Sequence, residues 1–373
     1  MKTLLRGPVL MIILGTLFCI FPGTRASFAQ DHKGGSGEIA WAIGYDPKTF
    51  DPAKVDDQAS EIVRYLTGGV LLRLNRSTLQ VEPALAESWT LSPDGKLVTF
   101  HLRPHLRFSD GSPLTSADVA ATLRRVLQPA TAAPVAEEFL APTKVVIDTP
   151  DPLLVHVRLA QRVTSIASIF DEIAIEPGGN PSEARVTAGP FVLAEFHRGQ
   201  SLRLVRNPFY WKHAPDGTSL PRLTAVRLDV LNNRETEELR FARGEYAVLE
   251  DVPADGFAAL NRRSPGSVHD LGPSLNTEQM WFNQAASAPL PAWEKAWFTN
   301  TAFRQAVSAA IHRADLVRVG YLGHATVANG FVSPANTAWY NRALPPAMEK
   351  PAYAAELLQQ SGFRKQGLSL IHI

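Results

Sequence analysis

The chain has 373 residues, 45% of them apolar and 20% charged, enough to bury one large core or several and in keeping with two or three domains. Lys plus Arg number 37 against 36 for Asp plus Glu, and no long basic run breaks that balance, which argues against nucleic acid as a partner. The single cysteine, Cys19, lies in the leader described next, so the chain that follows it holds no thiol nucleophile and forms no disulfide.

Lys2 and Arg6 precede an apolar run from Val9 to Phe21, and the small residues of "GTRASFAQ" follow. This pattern predicts a secretory signal peptide over residues 1–29, cut after Ala29 with Ser27 in support and Ala26 as a competing site. The run, about 13 residues, is short of the roughly 20 that cross a bilayer. Lipid attachment at Cys19 is disfavoured, because Phe18 stands where such signals need a small residue. The expected location is the periplasm.

"DHKGGSGE" (Asp31 to Glu38) reads as a flexible lead into a first strand, "IAWAIGY" (Ile39 to Tyr45). A phosphate loop would follow a strand, whereas these glycines precede one. Pro47 and Pro52 then turn the chain into a helix with Ile62, Tyr65, Leu66 and Val70 on one stripe. "SWTLS", the turn "PDGK" and "LVTFHLRP" form a hairpin in which Val98, Phe100 and Leu102 alternate with polar residues. "KVVIDTPDPLLVHVRLA" repeats the device with "TPDP" as its turn. Between them, "LRPHLRFSDGSPLTSADVAATLRR" reads as a strand end, a turn at Asp110-Gly111 and a helix over about 117–127. Thr115 or Ser116 is its cap, and Asp118 completes the box.

Two strands about "HRGQ" and a third, "LTAVRLDVL", with Val226, Leu228 and Val230 on one face, follow. Next comes the helix "RETEELRFARG", closed by Gly244. After "TEQMWFNQ", the residues Phe303, Ala306, Val307, Ala310 and Ile311 recur at helical spacing behind an Asn300 or Thr301 cap. The class is α/β or mixed.

The search for bond-making chemistry finds little. His101 and His105 are four apart, but Pro104 intervenes and the segment alternates as a strand, so the two do not share a helical face as zinc ligands. "DGSPLTSADVAA" lacks the acids of a calcium loop, and no G-x-S-x-G elbow or S-x-x-K set occurs. Asp56-Asp57, Glu137-Glu138 and Glu237-Glu238 are adjacent pairs whose members diverge, so they read as solvated faces. Trp41, Tyr45, Phe209, Tyr210, Trp211, Trp281, Phe282, Trp339 and Tyr340 fall near strand ends and loops, where they serve either as pocket walls or as core.

In chain order, "YDPKTFDPA", "VEPALAESWTLSPDGKLVTFHLRPHLRFSDGSPLTSADV", "AGPFVLAEFHRGQSLRLVRNPFYW", "WFNQ", "FRQAVSAAIHRADLV" and "YAAELLQQSGF" make the chain, over about Ile39 to Phe363, resemble the extracytoplasmic solute-binding proteins of family 5. These are the peptide-, nickel- and oligopeptide-binding components of ABC transporters. The resemblance implies an α/β fold with a mixed α+β insert: a two-lobed, periplasmic-binding-protein-like clamp of three domains. Residues 30–70 with 189–283 would form the first lobe, 71–188 a strand-rich insert, and 284–373 the start of a second lobe. It also implies a monomer without cofactor and without enzymatic activity. Such a protein captures peptides by clamp closure and delivers them to a permease and its ATPase.

Expected ligand contacts are Asp57 and Gln58, in the turn after the first strand, and Trp281 and Asn283, on an interlobe strand. Trp281 would wall the pocket, and Asn283 would bond a peptide backbone or simply tie the crossover. Rival readings are a nickel chelate, oligosaccharide or opine-like solute, an envelope hydrolase of peptides or glycans, and a sensory binding module. The chain departs from the family pattern at His312, where an Asp is usual, at Ala247, normally polar, and at "AGPF". It is expected to be truncated: "LSLIHI" continues nothing familiar, and the segment that often anchors peptide termini would be missing.

Overall fold

The computed structural model describes residues 37–136, 144–162, 166–182, 184–250, 252–263, 265–266 and 268–364. The predicted leader with Cys19, most of the "DHKGGSGE" lead, Glu137-Glu138 and the final "LSLIHI" lie outside the described residues. Among these residues, no helix is long and apolar enough to cross a membrane.

Strand β1 (Glu38–Ile43) leads through a loop to helix α1 (Gln58–Thr67). A short pair follows, β2 (Leu72–Leu74) and β3 (Val81–Pro83). Then come β4 (Ala86–Leu91), β5 (Leu97–Leu102), helix α2 (Ser116–Val126), β6 (Val145–Asp151) and β7 (Leu154–Leu159). The last four strands make one antiparallel sheet in the order β4-β5-β7-β6. The two-residue period explains it: Val98, Phe100 and Leu102 are buried on one face, and Val155, Val157 and Leu159 match them on the next strand but one in sequence. Phe100 meets Phe170 edge-on at 4.5 Å. Helix α2 covers this face with Val119, Leu123 and Val126.

The first hairpin turns at Gly95 as expected, with φ of 70°. The second turns two residues later than "TPDP" predicts: β6 runs on through Pro150 to Asp151. There the Asp151 carboxylate accepts the Leu153 N–H at 2.9 Å, an Asx turn with Pro152 in the position proline favours. The histidine pair also divides. His101 is on the exposed side of β5, but the strand ends at Leu102 and His105 occupies the next turn at φ 59°. At the corner ahead of α2, Asp110 accepts from Ser112 through both backbone N–H (2.9 Å) and hydroxyl (2.6 Å), which hold its carboxyl below the usual range. Asp118 accepts the Thr115 N–H at 2.9 Å.

A second sheet combines β1 with β8 (Phe191–His197), β9 (Ser201–Arg206) and β10 (Ala225–Val230) in the order β1-β10-β9-β8. Strand β1 runs parallel to β10, pairing Trp41 with Leu228, and the other pairs are antiparallel. Its core joins Trp41, Ile43, Leu202, Leu204, Val226 and Leu228 to Ala59 and Val63 of α1. The apolar stripe of α1 is therefore rotated from the one predicted. Ile62 and Leu66 pack on this core, but Tyr65 is exposed. Val70 lies past the helix, bridged to Ala174. Gly68-Gly69 end the helix because backbone crowds here: a Cβ on Gly189 would sit 2.2 Å from the Thr67 carbonyl, whose oxygen accepts the Gly189 N–H at 3.1 Å.

Helix α3 (Arg234–Ala242) begins at Asn233, which accepts the Thr236 N–H at 2.8 Å, and Gly244 follows it at φ 73°. Helices α4 (Ala254–Arg263), α5 (Ala292–Thr299), α6 (Thr301–Ala310) and α7 (Pro351–Gln360) complete the elements considered. Asn300 caps α6 by accepting from Ala302 N–H (2.9 Å) and Phe303 N–H (3.2 Å). Ala306 and Ala309 of α6 pack on Ala354 and Leu357 of α7, and Ile311 falls beyond the helix end.

Where the two sheets meet, Arg125 of α2 is ion-paired with Asp51 of the loop before α1. Beside them Glu176, only 4% exposed, accepts the Ser182 N–H at 2.7 Å. Burial pushes its carboxyl up to about 7; the Asp51 charge adds to the rise, while the Ser182 N–H and Arg125 oppose it. A folded value above the unfolded 4.5 gives stability present in full below that pH and lost as pH rises through about 7. Glu176→Gln keeps an acceptor for Ser182 and removes this loss. Relative to the parent, the variant gains stability between pH 5 and pH 8, by on the order of 3 kcal/mol at most, as read from urea unfolding at the two pH values. A difference independent of pH would contradict this account.

Candidate functional site

Strands β1 and β10, running parallel, end together at Ile43 and Val230. From there each strand leads toward a helix start, β1 to α1 and β10 to α3. In open α/β sheets the space outside such carboxyl ends is where ligands sit. Here it is a groove of about 210 Å³. Ala42, Ile43, Ala59 and Ile62 supply its apolar side, and Tyr45, Gln58, Asn232, Asn233, Arg234, Glu237 and Glu250 its polar rim.

The rim is tied together across long stretches of sequence. Arg234 Nη1 donates to Glu237 Oε2 at 3.1 Å and to the Glu250 carbonyl at 2.5 Å. Gln58 Nε2, on the other wall, donates to Glu250 Oε2 at 3.4 Å. Behind the rim, Tyr246 is buried; its hydroxyl donates to Asp229 Oδ2 at 3.0 Å and accepts from Arg240 Nη1 at 2.9 Å. Burial, reinforced by the Asp229 charge, holds the Tyr246 hydroxyl above its ordinary pKa. These bonds fix the segment after Gly244 against β10. The next residue, Ala247, donates its N–H to Ala40 of β1 at 2.8 Å. Its departure from a polar side chain therefore leaves a backbone contact intact.

Of the predicted ligand residues, only Gln58 lines this groove. Asp57 and Gln58 are not in a turn but at the start of α1. The two Asp57 oxygens accept the Ser60 N–H (3.0 Å) and hydroxyl (2.6 Å), so this side chain serves as the helix cap. Trp281 and Asn283 are not on a strand: residues 275–291 form irregular chain. Trp281, 73% exposed, stacks on Phe331 at 5.4 Å with 11° between the rings. Asn283 accepts the Ala285 N–H at 3.1 Å, a local turn. Asn232, Asn233, Arg234, Glu237 and Glu250 were not singled out from the sequence as site residues. The one sequence signal, for Asn232, Asn233 and Arg234, is a polar "NNR" one residue after strand β10.

The aromatic residues split between the two roles. Trp41 is core, Trp211 lies under Arg103 at 4.1 Å, and Tyr45 is at the groove rim. His312, where the family pattern has Asp, does not cap the turn Arg313–Asp315; its Nδ1 pairs with Asp315 at 2.9 Å instead. Among the described residues, no three His, Cys, Asp or Glu side chains cluster in a way that could hold a metal ion.

Residues 80–372 match the family model described as bacterial extracellular solute-binding proteins, family 5 Middle. The probable D,D-dipeptide-binding periplasmic protein DdpA of Escherichia coli (strain K12) is 28% identical over 308 residues, 76% of this chain and 55% of that protein. The glutathione-binding protein GsiB of Salmonella typhimurium (strain LT2) is 26% identical over 352 residues, 91% of this chain and 64% of that protein. The chain thus spans between 55% and 64% of these relatives' length. Among solved structures, NikA from Brucella suis in complex with Fe(III)-EDTA superposes with a TM-score of 0.71 at 20% identity, over 89% of this chain and 66% of that one. The oligopeptide-binding protein AppA of Bacillus subtilis, in complex with a nonapeptide, gives 0.71 at 20% identity, over 90% and 66%.

Because Asp57 spends both oxygens on Ser60, Asp57→Ala is expected to lower stability by about 1 kcal/mol, and Asp57→Asn by less. Urea unfolding of both variants checks this. An Asp57→Ala chain as stable as the parent would show that the cap contributes nothing.

Proposed function

Because this chain belongs to the bacterial extracellular solute-binding proteins of family 5, we propose that it is the solute-capturing component of an ABC importer. In this reading it binds di- or oligopeptides in the periplasm and delivers them to a permease and its ATPase. The observation that carries the reading is the groove outside the carboxyl ends of β1 and β10, with its rim of amide side chains. Gln58 and Asn232 each offer donors and an acceptor, and Asn233, whose oxygen caps α3, offers its amide N–H groups, the complement of a peptide backbone. The names of two relatives, one for a D,D-dipeptide and one for glutathione, point toward short peptides.

Pockets for drug-sized ligands measure about 300–1,000 Å³, so a groove of about 210 Å³ holds one part of a solute. The proposed architecture supplies the rest: a first lobe of 30–70 with 189–283, an insert of 71–188, and a second lobe from 284 that closes over the solute. Two features support the division. One core is drawn, Ala53 apart, from residues 71–188, and the other, Ala184 apart, from β1, α1 and β8 to β10. Closure requires the solute to bind the closed clamp better than the open one. Trp281 and Asn283 keep their proposed roles as contacts from the crossover into the second lobe.

Thermal unfolding of the full 373-residue chain with millimolar di- and tripeptides is expected to show a rise in midpoint that grows with peptide concentration. Gln58→Ala, removing one rim hydrogen bond, is expected to weaken binding by about two- to tenfold. A midpoint raised by a nickel–histidine chelate or an oligosaccharide and by no peptide would overturn the choice of solute.

A further inference from the structure

Resting on that reading, we infer that Gly44 is a specificity-determining residue of the groove: bare of a side chain, it lets the main chain of a peptide lie directly against the backbone at the end of β1. Gly44 lines the groove between Ile43 and Tyr45 and is exposed. A fold requires glycine where φ enters the left-handed region or where a Cβ would collide with its surroundings. Gly95, at φ 70°, is of the first kind. Gly69 is of the second, because a Cβ there would sit 2.5 Å from the Ala188 Cβ. Gly44 meets neither condition. Its φ is outside the left-handed region, and a Cβ would find no atom within 4 Å apart from its chain neighbours. Gly37 and Gly320 share this freedom, but of the three only Gly44 lines the groove.

Glycine at such a position costs stability, because the unfolded chain has more freedom to lose there than it would at alanine. The fold gives no reason for the missing side chain, whereas the groove does: glycine is also the residue that allows a ligand to approach the backbone closely. The backbone beside it shows what would approach. Ile43 spends its carbonyl on the Leu231 N–H at 2.9 Å, and Ala40 spends its own on the Ala247 N–H at 2.8 Å. Among the described residues, Gly44 makes no hydrogen bond within the chain through its N–H or its carbonyl. One free donor and one free acceptor on an exposed, bare backbone match the acceptor and donor of another backbone amide. A side chain on Gly44 would stand in the open space that this amide needs, and in a groove of about 210 Å³ there is little room to shift aside.

Calorimetric titration of the full chain with dialanine and trialanine would compare the parent with Gly44→Ala, Gly44→Val and, away from the groove, Gly37→Ala. Gly44→Val is expected to weaken binding of the better peptide by about tenfold and Gly44→Ala by about threefold, while Gly37→Ala leaves it unchanged. Urea unfolding separates this from a structural role. Because the fold has no need of glycine here, the Gly44→Ala midpoint is expected at or above that of the parent. The alanine variant carries the test if the valine variant does not fold. Gly44 variants that bind as the parent does, or that bind more weakly only with a lowered urea midpoint, would overturn the inference and leave peptide capture standing. A parent that binds neither peptide would overturn both.

Discussion

The parallel pairing of β1 with β10 is the constraint on which the rest depends. Six residues, Glu38–Ile43, lie in register with Ala225–Val230, and all of α1, the strand-rich sheet and β8–β9 falls between them in sequence. Only a parallel pair ends both strands at the same edge of the sheet, and only then do the starts of α1 and α3 face one space. An antiparallel edge would have put Gln58 and Arg234 at opposite ends. The groove is therefore a consequence of strand direction, and the closeness of Gln58 to Glu250, 192 positions apart, follows from it.

Leaving and re-entering this sheet requires two close crossings, and the chain makes them with glycine. Gly69 accepts the Ile175 N–H at 2.8 Å, and Gly189 donates to Thr67 at 3.1 Å. Both lie where an added Cβ would meet backbone. Charged groups, buried or half-buried, gather at the same place. Arg64 spends its guanidinium on Glu61 and the Asp171 carbonyl, while Asp51, Arg125 and Glu176 form the neighbouring set. Removing Arg125 would leave Asp51 and Glu176 without that cation, which is costly, whereas neutralising Glu176, whose burial opposes its charge, is stabilising. The seam thus joins the two sheets through polar groups, in contrast to the apolar cores on either side.

The groove shows how the chain offsets its own helix starts. Left alone, two converging helix amino ends would attract an anion. Capping by Asp57 and the acids in the first turn of α3 offset that field, and Arg234 is turned inward to Glu237 and to the Glu250 carbonyl. The character of the site is decided by residues that also stabilise helices, so fold and recognition share the same side chains.

Local periodicity and turn chemistry were readable directly from the residues. The alternation of Val98, Phe100 and Leu102, the Asp94-Gly95 turn, the Thr115–Asp118 box and the Asn300 cap all depend on neighbours within a few positions. The order of motifs was enough to give the family, because each piece marks a local corner of the same scaffold. Other features depended on distant packing and were misplaced. Val70 falls outside α1 because the crowding at Gly68-Gly69 ends the helix first, and Tyr65 is exposed because Ala59, Ile62, Val63 and Leu66 are the face that meets the sheet. The second hairpin moved to Asp151 because that carboxylate, rather than Pro150, sets the turn. Trp281 stacks on Phe331 in irregular chain because its partner comes from fifty residues onward. The groove itself was hidden: Glu237 reads as half of a solvated pair, and Arg234 and Glu250 carry no site signal, until β1 and β10 bring Gln58 beside them. Sequence alone determined the elements and the family, since those rest on short-range patterning; only the tertiary structure decided which polar residues share a site, since that rests on strand direction and long-range pairing.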